Sequence, residues 1–314
     1  MRLCASAGPV RARPIEHSQI DILWGQDARE DADGEPQPPR AELAAQSLLL
    51  RPEVMAWQDR LRIHPISTRS HAKVIVADPR QPGRWEVIVG SCNWLDTPFQ
   101  KVEASVRLRD AGIVRDVIVG LMDLAHGGGL WPELATELHH MAERLRTETP
   151  ADGANGVARL VSNAGHNNHL LRARDQLRNK LLLVSHRLGS HYDCGALLPL
   201  AAACGSGRVD ARMLYSKNEH GEGRTPSQLE REARAKGISL GLVKDPLLHA
   251  KLLAWDDDDI VLTSLNWMSC DAGFSNLLQE LGVAITAPGA ARHLMDLFDR
   301  QLHGTHVRGP GNRR

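Results

Sequence analysis

Residues 249–259 read HAKLLAWDDDD, with His249, Lys251 two places on, and Asp256 five further. Residues 71–78 read HAKVIVAD and repeat that spacing with His71, Lys73 and Asp78. The match continues downstream of each copy. VIVGSCNW (87–94) supplies Ser91, Asn93 and Trp94, and IVLTSLNW (260–267) supplies Ser264, Asn266 and Trp267. Each copy then reaches a glutamate beside an apolar run, Glu103 in KVEASVRL and Glu280 in QELGVAI. Matching features in the same order, twice, make an internal repeat, and a repeat dictates architecture before any single element does.

Around the repeat the chain alternates strand and helix signals. In the second half GVARLVS, KLLLVSH, VDARMLYS, ISLGLV, HAKLLAW, DIVLTS and LQELGVAI read as strands. A polar helix at about 165–178, GALLPLAAACG, SQLEREARAKG and AARHLMDLFDRQL read as helices. In the first half IDILWG, LRIHP, HAKVIVAD, WEVIVGS and EASVRL read as strands, and AELAAQSLLL, IVRDVIVGLMDLA and PELATELHHMAERLR as helices. The acidic, proline-rich segment 27–40 reads as an exposed loop. This alternation argues an α/β fold of sheets flanked by helices. The expected layout is a first domain at 1–147, a linker at 148–157, a second domain at 158–304 and a flexible basic tail at 305–314. The halves disagree at the front. IDILWG corresponds to VDARMLYS, yet the strand KLLLVSH and the helix after it have no counterpart before IDILWG. The expectation is that the leading strand–helix unit of the first domain is missing, as in a truncated reading frame, with a divergent edge as the other reading.

A chain of 314 residues suits two domains, and 42% hydrophobic residues suffice for real cores. With 38 basic and 38 acidic residues the net charge is zero, so total charge announces no polyanionic partner. The five cysteines, Cys4, Cys92, Cys194, Cys204 and Cys270, form no CxxC pair, which argues against a zinc site or a disulfide framework and for reduced thiols in the cytoplasm. The N-terminus lacks a signal-peptide pattern, and no apolar run reaches the roughly 18 residues of a membrane span. The paired histidines of GHNNH (165–169) and HHMAER (139–144) read as helix surface, and Asp257–Asp259 as a solvated turn. Trp94 and Trp267 read as core or site wall.

Alternation of side chains along a strand puts His71 with Lys73, and His249 with Lys251, on shared faces. A histidine beside a fixed cation is a phosphate site: the lysine neutralises anionic oxygens and the histidine attacks or transfers a proton near neutral pH. Ser91, Asn93, Ser264 and Asn266 add neutral donors to the same oxygens. Cleaving a phosphodiester through a covalent intermediate needs two such histidines, one to attack phosphorus and one to protonate the leaving oxygen. An acidic side chain on the far ring nitrogen would fix each tautomer.

The two H-x-K-x4-D motifs, each followed by (G/T)-S-x-N, resemble the phospholipase D superfamily over about residues 20–303. The resemblance implies two α/β domains related by a pseudo-twofold axis, one active site at their interface, a phosphohistidine intermediate and no metal or other cofactor. It implies His71 as nucleophile and His249 as general acid, with Lys73, Lys251, Asn93 and Asn266 on the phosphate. Asp78 and Asp256 complete the motifs, and Glu103 and Glu280 stand behind them. Two departures from the pattern are local: eleven residues rather than six between Asp78 and Gly90, and Thr263 in place of the usual glycine.

Family members cleave nucleic acids, hydrolyse phospholipids or transfer phosphatidyl groups. The SLNW ending and the 4% aromatic content favour the nuclease branch, with Arg62, Arg69, Arg80, Arg84, Lys101 and Lys244 as candidate backbone contacts. The phospholipid reactions are the alternative, and an inactive binding subunit a second. A second copy or a partner subunit would complete the first domain.

Overall fold

The computed structural model describes residues 19–25, 29–30, 36–37, 40–55, 58–64, 66–77, 85–94, 101–126, 131–148, 155–204, 209–219, 223–271 and 279–306. The first half runs β1 (Ile20–Ile22), β2 (Arg29–Glu30), β3 (Pro36–Gln37), α1 (Arg40–Leu49), α2 (Pro52–Met55), β4 (Leu61–Ile63), β5 (Val74–Ala77), β6 (Glu86–Gly90), β7 (Lys101–Val102), β8 (Ser105–Leu108), α3 (Ala111–His126) and α4 (Pro132–Arg146). The second runs β9 (Val157–Ser162), α5 (Gly165–Gln176), β10 (Lys180–Leu188), a π-helical turn (Tyr192–Leu197) and α6 (Leu198–Cys204). It continues through β11 (Asp210–Asn218), α7 (Pro226–Ala235), β12 (Ile238–Leu242), β13 (Leu247–Leu248), β14 (Leu252–Trp255), β15 (Asp259–Thr263), β16 (Leu281–Thr286) and α8 (Ala290–His306). Inside the acidic segment read as a loop, β2 and β3 pair over two residues.

The second half builds a seven-stranded mixed sheet in the order β12-β11-β10-β14-β15-β16-β9. β10 is its hinge: parallel to β11 on one side and antiparallel to β14 on the other. Leu181, Leu182, Leu183 and Val184 of β10 are buried on both faces, which explains a continuous apolar run where a half-exposed strand would alternate. Each such side chain contributes about 1.5–3 kcal/mol through burial. One face packs with α5, α6 and α7 around Leu170, Tyr192, Leu200, Leu229 and Trp255. The other joins a core shared with the first half, in which Val87, Val89, Ile113 and Ile118 meet Leu182, Leu252, Val283 and Phe298.

The first half repeats this plan in part. β5-β6-β8 matches β14-β15-β16, and the parallel pair β1–β4 matches β11–β12. Among the described residues no strand takes the place of β10, so β1–β4 and β5-β6-β8 are two separate sheets. The outer edge of β5 is unpaired among those residues, and Ile75 on it is 38% exposed.

The threonine that departs from the repeat is compensated across the sheet. In the first half Gly90 lies opposite Ser105, and in the second Thr263 lies opposite Gly282. A Cβ on Gly90 would collide with the Ser105 hydroxyl, and one on Gly282 would meet the Thr263 Cβ at 2.7 Å. Each pair has room for one side chain, and the halves place it on opposite strands.

Candidate active site

Each motif histidine sits just ahead of a strand and is anchored by the other half. The His249 and Ala250 amides donate to the Val102 carbonyl at 2.9 and 2.8 Å, where β13 pairs with β7. The His71 amide donates to the Gln279 carbonyl at 2.8 Å, and the Ser70 hydroxyl donates to the same oxygen at 3.1 Å. Val102 and Gln279 are equivalent positions of the repeat, each preceding its glutamate, so these contacts are reciprocal.

The carboxylates cross in the same way. His71 Nδ1 lies 3.1 and 3.2 Å from the two oxygens of Glu280, and His249 Nδ1 lies 2.6 Å from Glu103 Oε1. A carboxylate accepts, so Nδ1 carries the proton in each ring and Nε2 is left for chemistry. The glutamates are held from behind by their own copy: the Ser91 hydroxyl donates to Glu103 and the Ser264 hydroxyl to Glu280. Ser91 also accepts from the Ala104 amide and Ser264 from the Leu281 amide, each at 3.0 Å, and both serines are fully buried. This corrects the expectation that they bind phosphate. Their hydroxyls are spent on the carboxylates and the backbone.

Lys73 and Lys251 are buried, at 6% and 0% exposure. Lys73 Nζ donates to the His71 carbonyl at 2.5 Å and Lys251 Nζ to the His249 carbonyl at 2.9 Å. Lys251 Nζ also lies 3.4 Å from His249 Nε2. Burial lowers both ammonium pKa values, Lys73 to about 8 and Lys251 to about 7, the latter also through repulsion from Lys73. Burial and the adjacent lysine push His71 down. Burial, Lys251 and Lys73 push His249 far down. Burial raises the Glu103 carboxyl against the opposing pull of Ser91, Lys251 and Lys73. Burial acts the same way on Glu280, but the bonds from His71 and Ser264 and the charge of Lys73 outweigh it, and its carboxyl sits below the usual range. The set is a buried cluster of two cations, two carboxylates and two neutral imidazoles, arranged for an anion with two imidazole nitrogens to serve it.

The other expected residues divide. Asp256 does not join the cluster. It lies in the turn after β14 at positive φ, and its carboxylate accepts from the backbone amides of Arg178, Asn179 and Lys180 at 2.8–3.2 Å. A four-residue strand separates it from Lys251, roughly 13 Å of extended chain. The motif aspartate therefore holds the turn into β10 and not the reacting groups. Asp78, Arg80 and Arg84 lie outside the described residues. Asn266 is buried and its Oδ1 has no partner among the described residues, while Asn93 is half-buried after β6. Arg62 is engaged by Asp21 at 2.6 Å and Glu137 at 2.8 Å, so it is committed to the fold of the first half.

Two histidines change the picture drawn from the motifs. His166, expected on a helix surface, is fully buried. Its Nδ1 donates to the Asn163 carbonyl at 2.8 Å, and its Nε2 accepts from the Thr263 hydroxyl at 2.7 Å. Its ring meets Trp267 edge-on at 5.6 Å. Burial lowers its pKa to about 4. His186 of β10 is absent from the sequence-based candidates. Its Nδ1 donates to the Leu248 carbonyl at 2.6 Å, and its ring centroid is 4.7 Å from that of His249, tilted by 64°. Nothing in KLLLVSH marks it, because its contact with His249 depends on β10 pairing with β14.

No family model matches the sequence, and no curated protein matches it. Solved structures do. Phosphatidylserine synthase from Haemophilus influenzae Rd KW20 superposes with a TM-score of 0.50 at 14% identity, over 90% of this chain and 72% of that one. Polyphosphate kinase from Porphyromonas gingivalis gives 0.48 at 13% identity, over 90% of this chain and 41% of that one. The phospholipase D family member Nuc from Salmonella typhimurium gives 0.36 at 18% identity, over 51% of this chain and 99% of that one. The chain shares the fold of the Haemophilus influenzae phosphatidylserine synthase.

Proposed function

We propose that this chain, built on the phospholipase D fold, is a phosphodiesterase that works through a phosphohistidine without a metal, and that its substrate is nucleic acid. The observation that carries the reading is the reciprocal pairing of His71 with Glu280 and of His249 with Glu103 around Lys73 and Lys251. Each carboxylate fixes a tautomer and stabilises the imidazolium that forms on the far side of the ring. The two buried ammonium groups supply the charge that would hold a phosphodiester anion, as a metal does elsewhere. Burial and lysine repulsion depress both histidines, and the anion in turn offsets that repulsion, so one can carry a proton for the leaving oxygen while the other attacks. Asn93 and Asn266 complete the phosphate contacts, each through its side-chain amide N–H donors.

Nucleic acid is favoured by the SLNW ending and the 4% aromatic content. Among the described residues no helix is long and apolar enough to cross a membrane. The test is incubation with end-labelled single- and double-stranded DNA and RNA in EDTA, beside phosphatidylcholine vesicles, with His71→Ala and His249→Ala as controls. Nucleic-acid cleavage lost in both variants is the expected result. Lipid turnover alone moves the chain to the lipid branch, and silence of a folded sample on every substrate removes the enzymatic reading.

A further inference from the structure

We infer that His249 is the nucleophile and His71 the acid and base, the reverse of the order the resemblance implies. The inference rests on the phosphodiesterase reading and adds to it an asymmetry that the repeated motifs do not contain. Its source is β10. In the second half this strand lies beside β14 and brings the His186 ring against His249, while among the described residues no strand does the same for His71. The two histidines therefore differ although their motifs match. The His249 side chain is 8% exposed and that of His71 29%. His249 holds Glu103 in one 2.6 Å bond, whereas His71 shares both oxygens of Glu280 at 3.1 and 3.2 Å. Lys251 Nζ, a donor, stands 3.4 Å from His249 Nε2, so the lone pair of that nitrogen faces the cation that would bind phosphate.

Each half of the reaction needs a different property. The nucleophile needs an unprotonated Nε2 held still and kept from water, which describes His249 among Glu103, His186, Lys251, Lys73 and Lys101. The partner must lose a proton to the leaving group and then take one from water, which needs solvent access. His71, among Glu280, Lys73 and Lys251, has it. In the first step His249 Nε2 forms the N–P bond, the P–O bond to the leaving group breaks, and the departing oxygen takes the proton of His71 Nε2. In the second, water oxygen forms a P–O bond, its proton passes to His71 Nε2, and the N–P bond breaks with its electron pair returning to His249.

The test uses bis-p-nitrophenyl phosphate, whose p-nitrophenolate leaves without help from an acid. His71→Ala is expected to release about one p-nitrophenolate per chain in a burst and then stall, because hydrolysis lacks its base. His249→Ala is expected to give no burst. Wild-type protein quenched in alkali and digested should carry the phosphoryl adduct on the peptide containing His249, a readout that does not depend on either variant folding. An adduct on the peptide containing His71, or a burst from His249→Ala, overturns the inference and leaves the phosphodiesterase standing. Wild-type silence on this diester and on every nucleic acid and lipid removes both.

Discussion

The Glu103 carboxylate lies 2.6 Å from His249 Nδ1 although the two residues are 146 positions apart, and the Ser91 hydroxyl holds that carboxylate from behind. Glu280 stands in the same relation to His71 across 209 positions. Charge at these two positions, and not only shape, is what an imidazolium needs. Glu103→Gln and Glu280→Gln keep the size and lose the charge. Each is expected to lower kcat by about 10²–10⁴-fold with little change in KM. Steady-state kinetics on a cleavable diester checks this, and a variant within a few-fold of wild type would contradict the role given to the carboxylate.

The lysines set the alkaline limit. Lys251 and Lys73 lose their protons near 7 and 8, lowered by burial and, for Lys251, by the other cation. In the proposed reaction a protonated lysine holds the phosphate, so kcat/KM should fall as pH rises through that interval, well below the ordinary lysine range near 10.4. A profile flat from pH 6 to 9 would mean that the free protein keeps both charges.

Thr263 and Gly282 are a matched pair, as Gly90 and Ser105 are. Gly282→Ser alone places a Cβ against the Leu262 carbonyl and Thr263, both at 2.7 Å, and is expected to destabilise by about 1–3 kcal/mol. Adding Thr263→Gly restores the arrangement of the first half and should recover part of that loss, less the bond to His166. A double-mutant cycle by denaturant unfolding measures the coupling, and strict additivity would refute the compensation.

Asp256 predicts a stability effect without a catalytic one. Asp256→Ala removes the acceptor for three backbone amides at the entry to β10 and is expected to cost about 1–3 kcal/mol. Asp256→Asn tolerates the positive φ and keeps one acceptor oxygen, so it should lose less. In both, kcat/KM measured well below the melting temperature should stay close to wild type. A loss of orders of magnitude would return Asp256 to the chemistry.

What the sequence determined by itself is what is local or periodic. Side chains two apart on an extended backbone share a side, so H-x-K placed each histidine with its lysine, although the structure puts both pairs just ahead of β5 and β14. The repeat of that motif with its serine, asparagine and glutamate pointed to one site built from two units. Only the tertiary structure decided which glutamate serves which histidine, since pairings across 146 and 209 positions leave no spacing to read. It decided that the serines hold carboxylates, that Asp256 closes a turn, and that His166 is buried beneath Thr263. It also brought His186 to His249. The physical reason is common to all of these. A polar side chain declares its chemistry in sequence, but its partner is settled by which strands pair and which surfaces lose their water, and those depend on the whole sheet.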